Sequence, residues 1–260
     1  SVQATSDLKE VSDCEAVLLV VPAQVTREIG ARLAEVLHPD TPVAICSKGI
    51  EQKSGALMSE VAADVLPGRP IAILSGPTFA IEVARGLPTA VTIASGDSST
   101  AQLFSAALGS PNFRPYRSDD VIGTEIGGAI KNVMAIACGL SEGRKLGENA
   151  RAALITRGLA EMTRLCLAKG GRVETMMGLS GIGDLVLTCT SEKSRNYALG
   201  FALGRGAKLE TLLAEQIAIA EGLFSAPAVT ALASNLDIEM PIAAAVDKIL
   251  NDNADVDEVI

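Results

Sequence analysis

The sequence predicts an α/β unit built on a doubly wound, mostly parallel sheet, followed by an all-α unit. Three observations carry this expectation. Up to about Asp119, short β-type runs alternate with helical patterns. Beyond that point strand-like runs nearly vanish, and long segments rich in Ala, Leu, Ile and Met repeat with helical period. Apolar residues make up 48% of the 260 and charged residues only 20%, which supplies ample core material and argues against disorder. At roughly 150 residues per domain the length suits one large or two modest domains. The expected division is 1–122 and 123–260.

The elements follow in order. AVLLVVP (16–22) has the continuous apolar character of a buried strand, and a helix is expected over 25–37. VAICS (43–47) is a second strand, followed by a helix over 56–66. AILSG (72–76) is a third, with a short helix over 79–85. TAVTIA (89–94) and NFRPY (112–116) are further strands around a helix over 99–108. The second half predicts helices over 120–141, 149–169, 195–203, 221–234 and 242–251. Glycines at 178, 181, 183, 204 and 206 punctuate them, and no internal repeat is visible.

Composition excludes several function classes. A net charge of −9 disfavours nucleic acid or an anionic membrane as partner, because both are bound through excess Lys and Arg. The longest apolar run, 16–23 counting Pro22, is too short for the ~20 residues of a membrane span. The first residues, SVQATSDLKEV, show no basic-then-apolar leader pattern, so a cytoplasmic protein is the expectation. The five cysteines are an odd number and none is closer than 23 positions to the next, unlike a disulfide framework or a zinc site. The only histidine, His38, sits in a turn-like HPDTP. That all but removes His-ligated metal and Ser-His-Asp chemistry, and leaves Lys, Arg, Asp and Glu as the reactive groups.

Open α/β sheets bind ligands beyond the carboxyl ends of their strands. Three such ends are distinctive here: the apolar VVP (20–22), SKGIE (47–51) with Lys48 beside a glycine, and SGPTFA (75–80), which turns directly into a helix. Each also has an ordinary reading, since a Lys after a strand is commonly solvated and Gly-Pro is commonly only a turn. Lys131 is more telling. It is the only charge between Ile126 and Leu140, on a helical stripe with Thr124, Gly127, Gly128, Ala135 and Cys138. Either it is a lone cation aimed into a cleft between closely packed helices, or it snorkels to solvent. In the segment 178–200, Gly181-x-Gly183 lacks both a preceding strand and a third glycine, and is rejected as a phosphate loop. Asp184 stands alone in an apolar setting, with Thr190, Ser194, Arg195 and Asn196 downstream. Ser-Arg-Asn opening a helix is either a phosphate or carboxylate grip or an ordinary capped helix with an exposed Arg.

GAIKNVMAIACGLSEGRKLGEN (128–149) resembles the signature of the bacterial-type NAD(P)-dependent glycerol-3-phosphate dehydrogenases. VVP, SKGIE, SGPTFAIEVARGLPTAV, LSGIGDLVLTCTSEKSRN and AEG resemble that family's other blocks, in the same order and across essentially the whole chain. Arg144 stands where an aliphatic residue is more usual. The resemblance implies a Rossmann-like sheet domain and a helical catalytic domain, with NAD or NADP as cofactor and a small phosphorylated substrate. It further implies a homodimer through the helical part and a role in glycerophospholipid synthesis. The family's first strand, Gly-rich turn and helix have no counterpart after Ser1, so about sixty residues of that domain are expected ahead of it. Family sequences also run a little past Ile260. If those preceding residues are missing, weak or absent cofactor binding is expected of 1–260.

The resemblance further implies roles residue by residue. Lys131 is the general base for the C2 hydroxyl, and Asp184 and Asn132 organise it. Lys48 touches substrate and cofactor, Gly76 and Thr78 line the substrate site, and Ala80 approaches the cofactor. Thr190, Ser194, Arg195 and Asn196 hold the phosphate end, while Arg195, Ile219 and Glu221 contact the cofactor. Two rivals stay open. One is a related two-domain reductase of another small acid, and the other is a catalytically silent nucleotide-binding module.

Overall fold

The computed structural model describes residues 3–214, 220–252 and 254–259. Five strands form one sheet in chain order: β1 (Val17–Leu19), β2 (Val43–Ile45), β3 (Ile71–Ser75), β4 (Thr89–Ala94) and β5 (Phe113–Ser118). β1, β2 and β3 are parallel, β4 runs antiparallel to β3, and β5 is parallel to β4. The mostly parallel expectation therefore holds with one reversal, between β3 and β4. Period-2 alternation sorts the side chains. Val43, Ile45, Ile71 and Ile73 face α1 (Thr26–Ala34) and α2 (Met58–Val65), whereas Ala44, Ala72 and Leu74 face α4 (Ser98–Leu108) through Ala101 and Phe104. Helices thus cover both faces of the sheet. A short α3 (Ala80–Ala84) leaves the end of β3.

The predicted strands all form, β4 with the predicted bounds and the other four with shifted ones. β1 is only three residues long, because its pairing with β2 ends at Leu19↔Ile45. β5 runs on to Ser118 because its six residues match β4 from Thr89↔Phe113 to Ala94↔Ser118.

The second half is helical: α5 (Val121–Gly143), α6 (Glu148–Ala168), α7 (Val173–Met176), α8 (Asp184–Cys189), α9 (Arg195–Gly204), α10 (Leu209–Ala214), α11 (Glu221–Asn235), α12 (Pro241–Asn251) and α13 (Val256–Val259). The short α7, α8, α10 and α13 were not expected. Segments this short are unstable alone, and packing holds them; Leu185 and Cys189 of α8, for instance, are fully buried. α5 is long and apolar enough to cross a bilayer, but 89% of its apolar window is buried inside the protein. It is the axis of the helical core. Asp120 caps its N-terminus by accepting from Gly123 N at 2.9 Å, and also accepts from Arg172 N at 3.0 Å, which ties the start of α5 to the α6–α7 turn. Arg144, just past its C-terminus, pairs with Asp257 of α13 at 3.0 Å.

Glycines decide how α9 meets α5. A Cβ on Gly139 would overlap the Tyr197 carbonyl oxygen, and one on Gly200 would overlap that of Ile136. The two backbones therefore touch, which brings the N-terminus of α9 against the turn of α5 that carries Lys131 and Asn132. A side chain there meets backbone atoms that cannot rotate away. Gly200→Ala is expected to destabilise the protein by about 1–3 kcal/mol, the usual cost of overpacking. In urea this appears as a lower unfolding midpoint at unchanged slope. Gly96→Ala, where a Cβ meets nothing within 4 Å, should leave the midpoint near wild type.

Candidate active site

Four chain segments converge on one buried carboxylate. Asp184 opens α8, and its side chain is 1% exposed. The Lys131 Nζ, from the middle of α5, donates to its Oδ1 at 2.6 Å and to Thr188 Oγ1 at 3.1 Å. The Lys48 Nζ, from the loop after β2, donates to Asp184 Oδ2 at 2.9 Å and to the Gly76 carbonyl at 3.1 Å. Gly76 can present that carbonyl because its φ is +134°, and because a Cβ there would lie 3.1 Å from Val91 Cα. Thr188, one turn after Asp184, donates its hydroxyl to the Asp184 carbonyl at 2.6 Å.

The electrostatics follow from burial. Loss of solvent, then the neighbouring Lys48 charge, push the Lys131 amine down to about 8, with Asp184 opposing. Burial alone would raise the Asp184 carboxyl, but Lys48 and Lys131 together hold it below the ordinary value. Two cations share one anion, so the cluster keeps a net positive charge. Replacing a buried ion group by apolar residues is often neutral or stabilising, so stability is a weak reason to keep one. A cavity of about 560 Å³ opens over the cluster, lined by Lys48, Lys131, Asn132, Thr188, Ser194, Arg195, Asn196 and Glu221 on the polar side. Val20, Val21, Pro22 and Phe79 form its apolar wall.

The family model described as NAD-dependent glycerol-3-phosphate dehydrogenase N-terminus matches residues 1–101, and the corresponding C-terminus model matches residues 120–260. The chain belongs to the NAD-dependent glycerol-3-phosphate dehydrogenase family. It is 53% identical over 260 residues to the glycerol-3-phosphate dehydrogenase [NAD(P)+] of Parvibaculum lavamentivorans, covering 100% of this chain and 78% of that protein. It is 56% identical over 258 residues to the enzyme of the same name from Rhodospirillum rubrum, covering 99% and 74%. Among solved structures, the glycerol-3-phosphate dehydrogenase of Coxiella burnetii superposes with a TM-score of 0.96 at 43% identity, covering 99% of this chain and 79% of that one.

Most residues singled out from the sequence meet at this cleft of the dehydrogenase fold. Lys48, Thr78, Lys131, Asn132, Ser194, Arg195, Asn196 and Glu221 line the cavity, and Gly76 and Asp184 lie beneath its lysines. Ala80 is exposed at the start of α3, next to the lining residue Phe79. Thr190 is exposed, donates its hydroxyl to the Val186 carbonyl at 2.8 Å, and does not line the cavity. Ile219 lies outside the described residues.

Ser194 caps α9 by accepting from Tyr197 N at 3.2 Å, and Arg195 stands exposed behind it. The Asn196 amide is engaged within the protein: Nδ2 donates to Asn132 Oδ1 at 2.9 Å, and Oδ1 accepts from Gly222 N at 2.8 Å. It therefore braces α5, α9 and α11 against one another. Lys193, the residue before Ser194, pairs with Glu82 at 2.7 Å. Gly181 and Gly183 lie in a one-turn π-type segment leading into α8, and a Cβ on Gly181 would overlap the Met176 carbonyl. Gly181 thus serves the packing of that segment against Met176, whereas a Cβ on Gly183 would make only ordinary contacts.

Thr188 is the residue that sequence reasoning missed. Its only signal was the one-turn spacing from Asp184, a signal that needs α8 to be recognised as a helix.

The depressed Lys131 sets a pH dependence. Its folded value near 8 lies below the 10.5 of an unperturbed amine. Between those limits the unfolded chain binds the extra proton, so stability rises with pH in that window. Lys131→Met should remove that rise, seen as a flatter dependence of urea-unfolding free energy on pH from 8 upward.

Proposed function

We infer that the chain is an oxidoreductase that interconverts sn-glycerol 3-phosphate and dihydroxyacetone phosphate with NAD or NADP. The observation that carries this reading is the Lys131–Asp184–Lys48 cluster beneath a cavity whose far side presents Ser194 and Arg195.

The residues present suit the cofactor. Glu221 Oε2 is buried and has no hydrogen-bond partner among the described residues, and the apolar strand end Val20–Pro22 and Phe79 offer a flat wall. Lys48, Ala80, Arg195 and Glu221 would hold the cofactor, and Ile219 completes the set by resemblance. When bound, the nicotinamide accepts or supplies the hydride at C2.

The protein's own part is proton transfer and positioning. A neutral lysine has two N–H bonds and one lone pair. Asp184 and Thr188 occupy both N–H directions of Lys131, so its lone pair is left for the C2 hydroxyl proton. In the reducing direction the third N–H of the ammonium returns that proton. Lys48 spends two donors on Gly76 and Asp184 and keeps a third for the substrate oxygen. Its positive charge also favours the neutral form of Lys131 that oxidation needs.

Ser194, Arg195 and the free amides at the start of α9 suit a phosphate, which anchors the end that does not react. Gly76 and Thr78 flank the substrate from the β3 side, and Asn132 and Asn196 keep α5 and α9 in register around it. Thr190, with its hydroxyl back-bonded, is assigned no contact.

Residues 1–122 form the nucleotide-binding part and 123–260 the catalytic part. A cytoplasmic homodimer supplying the glycerol backbone of phospholipids, without nucleic-acid or membrane partners, is the setting that the resemblance and the net charge of −9 support.

The test is dihydroxyacetone-phosphate-dependent oxidation of NADH and NADPH by the full-length protein. Absence of turnover sinks the assignment in favour of a silent nucleotide-binding module. Faster turnover of an unphosphorylated 2-oxo acid sinks it in favour of the related reductase. Lys131→Ala should lower kcat by about 10²–10⁴, the range of general acid–base catalysis, and near-normal kcat would remove the base role. Arg195→Ala should raise KM for dihydroxyacetone phosphate about tenfold or more, as loss of a charged hydrogen bond predicts.

A further inference from the structure

Glu125 is a buried carboxylate that the chemistry above does not use. It lies on α5, six residues before Lys131, and is 5% exposed. Its Oε1 accepts from the Ser59 backbone N–H at 2.7 Å, and its Oε2 accepts from the Ser59 hydroxyl. Ser59 is near the start of α2, at the far end of the segment that begins with Lys48. That segment is pinched shut by an antiparallel bridge between Ile50 and Leu57, so its two ends cannot move independently.

The same face of α5 meets the near end of the segment. One turn after Glu125, a Cβ on Gly128 would lie 3.4 Å from Lys48 Cγ and 3.6 Å from its Cδ. The glycine leaves a groove along which the Lys48 stem runs to Asp184. α5 therefore touches the 48–59 segment at Ser59 through Glu125 and at the Lys48 stem through Gly128. A turn further on, Lys131 meets the Lys48 head group through their shared Asp184.

We propose that Glu125 is a positioning residue for the dehydrogenase reaction: by gripping Ser59 it sets how far Lys48 reaches along Gly128, and so how closely Lys48 approaches Lys131. The consequence is electrostatic. Lys48 near Lys131 keeps that amine down, and a Lys48 that withdraws lets it rise while Asp184 pairs with Lys131 alone. The charged groups that face Glu125 are Glu60 on α2 and Lys169 at the end of α6, which pair with each other at 2.7 Å. Those facing Lys131 are Lys48 and Asp184, with Cys189 beside them, whose thiol Cys138 and burial hold neutral. Burial pushes Glu125 itself up to about 7, so its grip as a carboxylate is complete only above neutral pH.

The inference rests on Lys131 being the proton acceptor, but its test does not need turnover. The Lys131 ammonium is titrated by NMR of lysine-labelled full-length protein, its resonance assigned with Lys131→Arg. Glu125→Ala is expected to raise the Lys131 midpoint by about half a unit or more, the scale of a weakened neighbouring charge. Glu125→Gln can still accept from the Ser59 N–H and can donate to its hydroxyl, and should leave the midpoint unchanged. In a Lys48→Ala background, Glu125→Ala should add nothing, because the residue acts through Lys48. An unchanged midpoint in Glu125→Ala overturns the proposal, as does an equal shift without Lys48. Should Glu125→Ala fail to fold, Ser59→Ala removes the hydroxyl half of the grip and keeps the backbone half. A smaller rise of the Lys131 midpoint that vanishes in the Lys48→Ala background is then expected, and no rise, or an equal rise without Lys48, overturns the proposal.

Discussion

Everything in the cleft depends on one carboxylate removed from water. Asp184 is held ionised by two ammonium groups that reach it from different halves of the chain, Lys131 from the long core helix and Lys48 from the exit of a sheet strand. Removing Asp184 would leave two buried ammonium groups uncompensated, which costs several kcal/mol, whereas removing either lysine leaves Asp184 paired with the other. The surplus positive charge suits the cluster to the anionic substrate proposed for it, in a protein whose net charge is −9. The same crowding of cations, together with burial, brings a lysine within reach of proton exchange near neutral pH.

Packing makes this electrostatic arrangement possible. The helical half is assembled around α5, and α9 lies directly on its backbone because Gly139 and Gly200 offer no side chain. That contact sets Ser194 and Arg195 across the cavity from Lys131. The Asn132–Asn196–Gly222 hydrogen bonds then lock α5, α9 and α11 in register. On the sheet side, Gly76 turns its carbonyl toward Lys48, and Gly128 gives the lysine stem room to pass. Small residues thus decide where the charged ones can go.

Much of this was visible without coordinates. The first four strands could be placed because largely apolar runs bounded by Gly, Pro and Ser have few alternatives in a covered sheet. Lys131 and Asp184 stood out because each is a lone charge in an apolar stretch, and such isolation marks burial with a partner. The bounds of β1 and β5 were less legible, since strand ends are set by the partner strand. The short helices around Asp184 were not legible at all, because only tertiary contact stabilises them, and Thr188 was missed with them. Thr190 shows the converse: a hydroxyl close in sequence to the site residues turned back on its own helix.

By itself, then, the sequence determined the α/β-then-helical plan, the family, and which residue types carry the chemistry. These follow from periodicity, composition and motif order, all of which are local properties of the chain. Only the tertiary structure decided that Lys48 and Lys131 share Asp184, that Asn196 braces helices, and that Glu125 grips Ser59. Those pairings join residues 26 to 136 positions apart. Their geometry is set by how closely helices and loops can approach, and no local pattern encodes that distance.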